Sequence, residues 1–108
     1  MLYSIVQSII TEEDTMSKRG IVSMKRRVKA LQKILAELGP VMRGSVVLLG
    51  TRNKQYYFSL NKDKKTHIIY LGKKRVDQAM EYSDNYKKLL EIIEEMTILN
   101  MKLLKENA

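Results

Sequence analysis

The stretch GSVVLLGTRNKQYYFSLNKDKKTHIIYLG, residues 44–72, decides the fold of this chain. It contains three short runs that are rich in β-branched and aromatic residues, namely Ser45–Leu49, Gln55–Leu60 and Thr66–Leu71. The segments between them, GTRN and NKDKK, are typical of turns. We therefore predict three strands that form an antiparallel meander.

The pairing of the second and third strands stays open at this level. An odd-numbered loop would place Phe58 on the same face as Ile68 and Tyr70, whereas an even-numbered loop would place it beside Ile69. The aromatic run of residues 56–58 is more typical of a core than of a surface on which nucleic-acid bases stack. Under either register the cationic loops extend beyond the sheet.

A stripe of apolar residues with helical spacing precedes the strands: Met24, Val28, Leu31, Leu35 and Leu38. Ser23 is a suitable N-cap for such a helix, and the pair Gly39-Pro40 is a strong stop signal. We therefore predict a short helix over residues 24–38.

Residues 73–105 contain neither proline nor glycine, which favours one long helix. Its apolar residues begin as a stripe and then surround the helix toward the C-terminal end. We expect this surface to form a homodimer interface, or else to fold back on the first helix and on residues 1–10 of the same chain. The predicted interface residues are Leu89, Ile93, Met96, Leu99 and Leu103.

The overall expectation is an α+β fold with a short N-terminal helix, the meander and the long C-terminal helix. A chain of 108 residues suits one small domain, which we place at residues 24–108, with residues 1–23 as a peripheral N-terminal extension. The opening MLYSIVQSII is too short to span a membrane and lacks the features of a signal peptide. The chain has no cysteine, so we expect a cytoplasmic protein without disulfides. We also expect no membrane association, because the apolar stripe of the first helix is narrow and contains neither Trp nor Phe.

The positive charge is concentrated in the middle of the chain. Residues 17–75 hold sixteen bases and two acids, whereas the segments on either side each carry a net charge of −3, and the whole chain carries +8. Such an asymmetry favours a polyanion as the partner. Because basic clusters recur along residues 17–75 beside only two acids, we interpret this partner as a nucleic-acid backbone.

The cations Lys73, Lys74 and Arg75 lie at the predicted start of the long helix, where the helix dipole makes them unfavourable unless an anion is bound. The first helix repeats this arrangement. We therefore predict backbone-dominated binding of nucleic acid, DNA more than RNA, with weak base discrimination. The candidate residues are Lys25, Arg26, Arg27, Lys29, Arg52, Lys54, Lys62, Lys64, Lys65, Lys73, Lys74 and Arg75.

The sequence predicts no catalytic, cofactor or metal site. His67 is the only histidine, and the five glycines never cluster into a phosphate-binding loop. Asp77, Glu81 and Asp84 share one helical face and could hold Mg²⁺, but acids near a helix start more commonly offset the dipole and nearby cations. We expect a protein that is not an enzyme.

Four segments in order carry a resemblance: LGPVMRGSVV at 38–47, YYFSL at 56–60, KKTHIIYL at 64–71 and the helix YSDNYKKLLEIIEEMTILNMKLL at 82–104. Over residues 24–105 the chain resembles a family of small uncharacterised bacterial and archaeal proteins often associated with transposases. Members commonly carry a cysteine cluster in the first hairpin, where this chain has GTRNKQ. The resemblance implies a mobile-element accessory protein that binds nucleic acid. The alternative is an adaptor that grips a transposase or another protein through its long helix.

Overall fold

The computed structural model describes residues 18–107 of the chain. Its elements in order are helix α1 (Lys18–Glu37), strands β1 (Ser45–Leu49), β2 (Gln55–Lys62) and β3 (Lys65–Tyr70), and helix α2 (Val76–Asn107). The predicted α+β fold, with an antiparallel meander between a shorter and a longer helix, is confirmed.

The three strands pair in chain order, and both pairings are antiparallel. Phe58 lies opposite Val46 on β1 and Ile69 on β3, so the second of the two registers is the right one. Side chains alternate between the two faces of a sheet, which puts Tyr57 and Tyr70 together on the other face. We call the face of Phe58 the covered face and the face of Tyr57 and Tyr70 the open face.

Both helices begin at positions that differ from the prediction. α1 starts at Lys18 and not near Met24, because Ile21 extends the apolar stripe by one more turn toward the N-terminus. α2 starts at Val76 and not at Lys73, because residues 72–74 form a turn in which Gly72 has a φ of 64°. The predicted boundary at residue 23 therefore falls inside α1, and residues 1–17 of the predicted extension lie outside the described residues.

The described residues form two compact units. The sheet unit comprises residues 38–89, with the three strands and the first part of α2, and the helical unit comprises residues 18–37 together with 90–107. The single basic domain over residues 24–108 stays a prediction.

The core of the sheet unit lies between the covered face and the first turns of α2. Its buried residues are Phe58, Leu71 and Ala79, and half-buried side chains of Met42 and Val46 pack against them. Burial of these apolar groups supplies the main stabilising free energy of the unit.

Three hydrogen bonds attach residues 38–44 to α2. The Met42 amide donates to the Tyr82 carbonyl at 3.1 Å, and the Asn85 side-chain amide donates to the Pro40 carbonyl at 2.9 Å. The hydroxyl of Ser83, which is buried, donates to the Gly44 carbonyl at 2.9 Å. The segment that leads into β1 is therefore fixed by polar contacts as well as by packing.

The helical unit has its own buried apolar residues, Leu31 on α1 and Ile92 on α2. On its surface, Arg27 forms a bidentate ion pair with Glu95, with Nε to Oε2 at 2.6 Å and Nη2 to Oε1 at 3.0 Å. Paired Arg–carboxylate bonds of this kind fix geometry better than a single contact does.

Candidate nucleic-acid interface

The loop between β2 and β3 presents a group of lysines at one end of the sheet. Lys62 and Lys65 lie opposite each other, and Asp63 and Lys64 alone connect them. Both connecting residues have positive φ, 55° for Asp63 and 62° for Lys64. This is the backbone of a type I′ turn, which matches the right-handed twist of paired strands. All three lysines at this turn are exposed.

The loop between β1 and β2 carries Arg52 and Lys54 at the opposite end of β2, and both are exposed. Gly50 opens this loop with a φ of 125°, and a Cβ at this position would lie 2.5 Å from the Asn53 carbonyl oxygen. Only glycine fits there without rearrangement. Cations therefore lie in the loops at both ends of β2.

The turn after β3 contains Lys73, Lys74 and Arg75, but the three do not have the same role. The Arg75 side chain donates from Nε to the Leu71 carbonyl and from Nη2 to the Tyr70 carbonyl, both at 2.9 Å. It thereby joins the end of β3 to the start of α2. Lys73 and Lys74 are exposed. We keep the two lysines in the candidate interface and leave out Arg75, whose guanidinium the fold itself uses.

The first helical hydrogen bond of α2 runs from the Ala79 amide to the Arg75 carbonyl at 3.0 Å. The amides without a helical partner therefore belong to residues 76–78, one turn later than predicted. Asp77 lies in this first turn and already offsets part of the positive field. The candidate interface on this side thus depends on lysine side chains and not on the helix dipole.

The cations of α1 also differ from the prediction. Lys25, Arg26 and Arg27 lie roughly two turns inside the helix, since α1 begins at Lys18, and the dipole field declines within the first turn. The prediction that these three cations lie at a helix start is therefore wrong, and α1 begins with Lys18 and Arg19 instead. Lys25, Arg26 and Lys29 are exposed in the helical unit, but Arg27 is committed to Glu95.

The ion pair makes the stability of the helical unit depend on pH. Hydrogen bonds from Arg27 hold the pKa of Glu95 below its ordinary value. A carboxylate with a lowered pKa in the folded state stabilises the fold above the ordinary glutamate pKa of about 4.3, and this contribution is lost as the pH falls through the lowered value. We expect Glu95→Gln to lower the melting temperature at pH 7 and to have almost no effect near pH 2. Glu94→Gln is the matched control, and an equal loss for Glu95→Gln at both pH values would contradict this assignment.

The open face of the sheet exposes apolar and aromatic side chains. Leu49, Ile68 and Tyr70 are 42%, 48% and 51% exposed, respectively. The rings of Tyr57 and Tyr70 meet edge to face, with their centroids 5.6 Å apart and their planes at 67°. The sequence did not identify this surface. The alternation of side chains along β2 and β3 would have indicated this surface, but the side chains could not be assigned to a face while the register of the two strands was open.

His67 lies on the covered face, beyond the part that α2 covers, in a cleft of about 430 Å³. The lining residues are Met42, Arg43, Phe58, Leu60, Lys62, His67 and Ile69, and none of them is a carboxylate. Arg43 is held by a hydrogen bond to the Asn61 carbonyl at 2.9 Å. Among the described residues that line the cleft, no carboxylate is present to orient the His67 imidazole.

Within residues 18–107, no three His, Asp or Glu side chains come together as a metal site would require, and this includes the acids at the start of α2.

The predicted dimer residues lie along α2 with mixed exposure. Ile93 is exposed, whereas Leu89, Met96, Leu99 and Leu103 are half-buried.

Neither helix in the described part of the chain has a stretch that is apolar enough and long enough to span a bilayer.

Comparison with known proteins finds no relative of this chain. No family model, curated protein or solved structure matches the chain. The resemblance to the transposase-associated family therefore stays a prediction, and the arrangement of residues in the structure is the basis for a functional conclusion.

Proposed function

We propose that this protein is a non-catalytic nucleic-acid-binding protein whose sheet unit contacts the sugar-phosphate backbone through the lysines and arginine of its loops. The observation that carries this proposal is the turn between β2 and β3. It places Lys62, Lys64 and Lys65 around one exposed tip, and it does so with a lysine in a backbone conformation that costs stability.

A type I′ turn favours asparagine or aspartate followed by glycine, because both central residues have positive φ. Asp63 meets the first preference, but Lys64 occupies the position where glycine would be easiest. A side chain in the left-handed region costs about 1–2 kcal/mol relative to glycine. Strain of this kind accumulates at functional sites. We therefore attribute the lysine at position 64 to the binding of phosphate by its charge.

The surroundings of the tip support the same conclusion. Residues 38–75 contain nine bases and a single acid, Asp63. Among the described residues, none of Lys62, Lys64 and Lys65 forms an ion pair within the fold. Cations that are neither neutralised nor buried are available to phosphates, and they raise the rate of association with a polyanion.

Removal of two tip charges should lower the salt dependence of binding. We expect Lys62→Gln/Lys65→Gln to flatten the slope of log K against log salt by about 1.4 on single strands and about 1.8 on duplexes, because each phosphate contact contributes roughly 0.7 or 0.9. Fluorescence anisotropy of labelled oligonucleotides between low and moderate salt measures this slope.

The matched control for this pair is Lys87→Gln/Lys88→Gln, which removes the same charge from exposed positions of α2 in the same unit. We expect the control to change the slope by less than half as much. Equal slopes for the two variants would show that the attraction comes from net charge and would exclude the tip as a contact site.

Several further features belong to this proposal. We expect DNA to be preferred over RNA, and we expect the protein to act in the cytoplasm as a mobile-element accessory factor and as a homodimer. The predicted dimer interface on α2 includes Leu89, Ile93, Met96, Leu99 and Leu103. Light scattering after size-exclusion chromatography, with and without a short oligonucleotide, measures both the oligomeric state and the complex.

The second candidate function is an adaptor that binds another protein through α2. The observation that favours it is the exposure of large apolar side chains on the C-terminal part of this helix, where Leu90, Ile93 and Leu104 are 47%, 46% and 69% exposed. An adaptor would use its positive charge only to speed association. It would therefore bind heparin as well as DNA of equal charge, whereas a nucleic-acid-binding protein should prefer DNA.

A further inference from the structure

We infer that the open face of the sheet binds single-stranded DNA, with the ring of Tyr70 as the surface on which a base stacks. This inference rests on the proposed function and deepens it, because it names the form of nucleic acid and the contact. It concerns the sheet unit alone.

The Tyr70 side chain is half exposed, yet two contacts hold it. Its ring meets the ring of Tyr57 edge to face with the centroids 5.6 Å apart, and its hydroxyl donates to the side-chain oxygen of Gln55 at 3.3 Å. A Cβ at residue 72 would lie 3.4 Å from the ring, so Gly72 leaves that side of the ring uncovered. A ring that is already fixed loses little conformational entropy when a base stacks on it.

The open face is an apolar surface on which a nucleic-acid base can pack. Ile68 and Leu49 are exposed on the same face as Tyr70 and provide an apolar surface beside the ring. Bases of a single strand can reach such a surface, whereas bases within a duplex are stacked on each other. A single strand therefore fits this face and a duplex does not.

The charges of the sheet unit complement a strand that crosses this face. Arg52 and Lys54 lie in the loop before β2, and Lys64 lies in the β2–β3 turn at the other end of β2, roughly 25 Å away along the strand. Lys62 and Lys65 lie on the covered face, so Lys64 is the lysine of this turn that a strand on the open face would meet first. A chain laid between the two loops would place its phosphates near cations at each end and its bases over the apolar middle. Proteins that bind single strands combine a basic track with aromatic rings in this way.

The polar side chains of the open face give RNA no advantage over DNA. The Thr66 hydroxyl donates to the Asn61 side-chain oxygen at 2.8 Å, and Gln55 accepts from Tyr70. These groups are largely engaged with one another, which leaves few to recognise a 2′-hydroxyl or the edge of a base. We therefore expect little sequence preference and no gain from ribose.

The first test is binding of labelled oligo-dT, of a duplex of the same length and of oligo-U to the full chain. We expect Tyr70→Val to weaken oligo-dT binding about tenfold, as loss of one stacked base does, and to change duplex binding less than twofold. Tyr70→Phe keeps the ring and should keep the affinity for oligo-dT. Tyr56→Val is the matched control, since Tyr56 is 41% exposed on the covered face.

The second test reads the ring directly and does not depend on the stability of the valine variant. The chain has no tryptophan, so Tyr70→Trp introduces a single indole at the proposed stacking position. We expect oligo-dT to quench its fluorescence strongly and duplex to leave it nearly unchanged. Tyr56→Trp should respond to neither ligand.

The outcomes separate the two proposals. If the lysine variants weaken binding but Tyr70→Val does not, or if the indole at position 70 is not quenched by oligo-dT, the stacking surface is refuted and the proposed function stands. Tighter binding of duplex or of oligo-U than of oligo-dT also refutes it. If neither single strands nor duplexes bind at low salt, both proposals fall together.

Discussion

Gly44→Ala should destabilise the sheet unit by about 3–5 kcal/mol, the largest effect we expect from a single substitution in this chain. Gly44 has a φ of 139°, a conformation that L-residues rarely adopt. A Cβ there would lie 2.5 Å from the Ser59 carbonyl oxygen and 2.7 Å from the Phe58 ring. The closest atoms belong to the backbone of β2 and to a core side chain, so neither can move without loss of packing.

The cost has a second source in the hydrogen bond that Gly44 accepts. Its carbonyl accepts a hydrogen bond from the hydroxyl of Ser83, a residue that is only 6% exposed. If the backbone at residue 44 rotates to relieve the clash, this hydroxyl loses its partner inside the unit, and an unsatisfied buried polar group costs about 1–3 kcal/mol. Relief of the steric clash at residue 44 would therefore break the buried hydrogen bond of Ser83.

Thermal unfolding followed by circular dichroism measures the effect of Gly44→Ala. Gly39→Ala is the matched control, because its added Cβ would meet only the side-chain nitrogen of Asn85, at 3.0 Å, and no backbone atom. A shift of that nitrogen weakens its hydrogen bond to the Pro40 carbonyl, so we expect the control to lose about 1 kcal/mol. Equal losses for the two variants would show that the stability of the sheet unit does not depend on the close approach of Gly44 to β2.

The strands could be predicted from the sequence because their signals are local. β-rich runs bounded by Gly50, Asn53 and Asp63 gave the positions of all three strands to within two residues. The register could not be predicted, because the two faces of β3 are nearly equal in hydrophobicity. Ile69 and Leu71 lie on one face and Ile68 and Tyr70 on the other. The packing of Phe58 and Leu71 against Ala79 on α2, together with the two-residue turn at Asp63 and Lys64, selects the observed register.

The helix starts were misassigned for different physical reasons. Ser23 is a good N-cap residue, but Ile21 is half-buried and extends the apolar stripe of α1 past it, so burial of the stripe overrides the capping preference. At α2, the sequence contains no residue that forbids a helix from Lys73 onward. The turn forms there because the Arg75 guanidinium binds the last carbonyls of β3, and this contact depends on the arrangement of the two elements in space.

The same distinction separates the parts of the candidate site. Exposed loop cations such as Arg52, Lys54 and Lys64 follow from the turn signals around them, so the sequence located them correctly on loops. Arg27 and Arg75 look the same in the sequence, but each is engaged with a partner inside the fold. Which arginines remain available cannot be read from charge patterns, because it depends on which acceptors lie within reach of each side chain.

Lys64→Gly should make the protein more stable and at the same time a weaker binder of nucleic acid. Glycine adopts the φ of 62° at this position without strain but gains freedom in the unfolded chain, so we expect a net gain of about 1 kcal/mol in the free energy of unfolding. The substitution also removes one cation from the tip, which should lower the salt slope on single strands by about 0.7. Opposite changes in stability and binding are expected where a strained residue is kept for its function.

Lys64→Gln separates the two contributions, because it removes the charge but keeps a side chain in the left-handed conformation. We expect it to weaken binding as much as Lys64→Gly does and to leave the melting temperature close to that of the unmodified protein. If the glycine and glutamine variants are equally stable, the turn carries no strain. If both bind as tightly as the unmodified protein, Lys64 does not contact the nucleic acid, and the proposed function loses the observation on which it depends most.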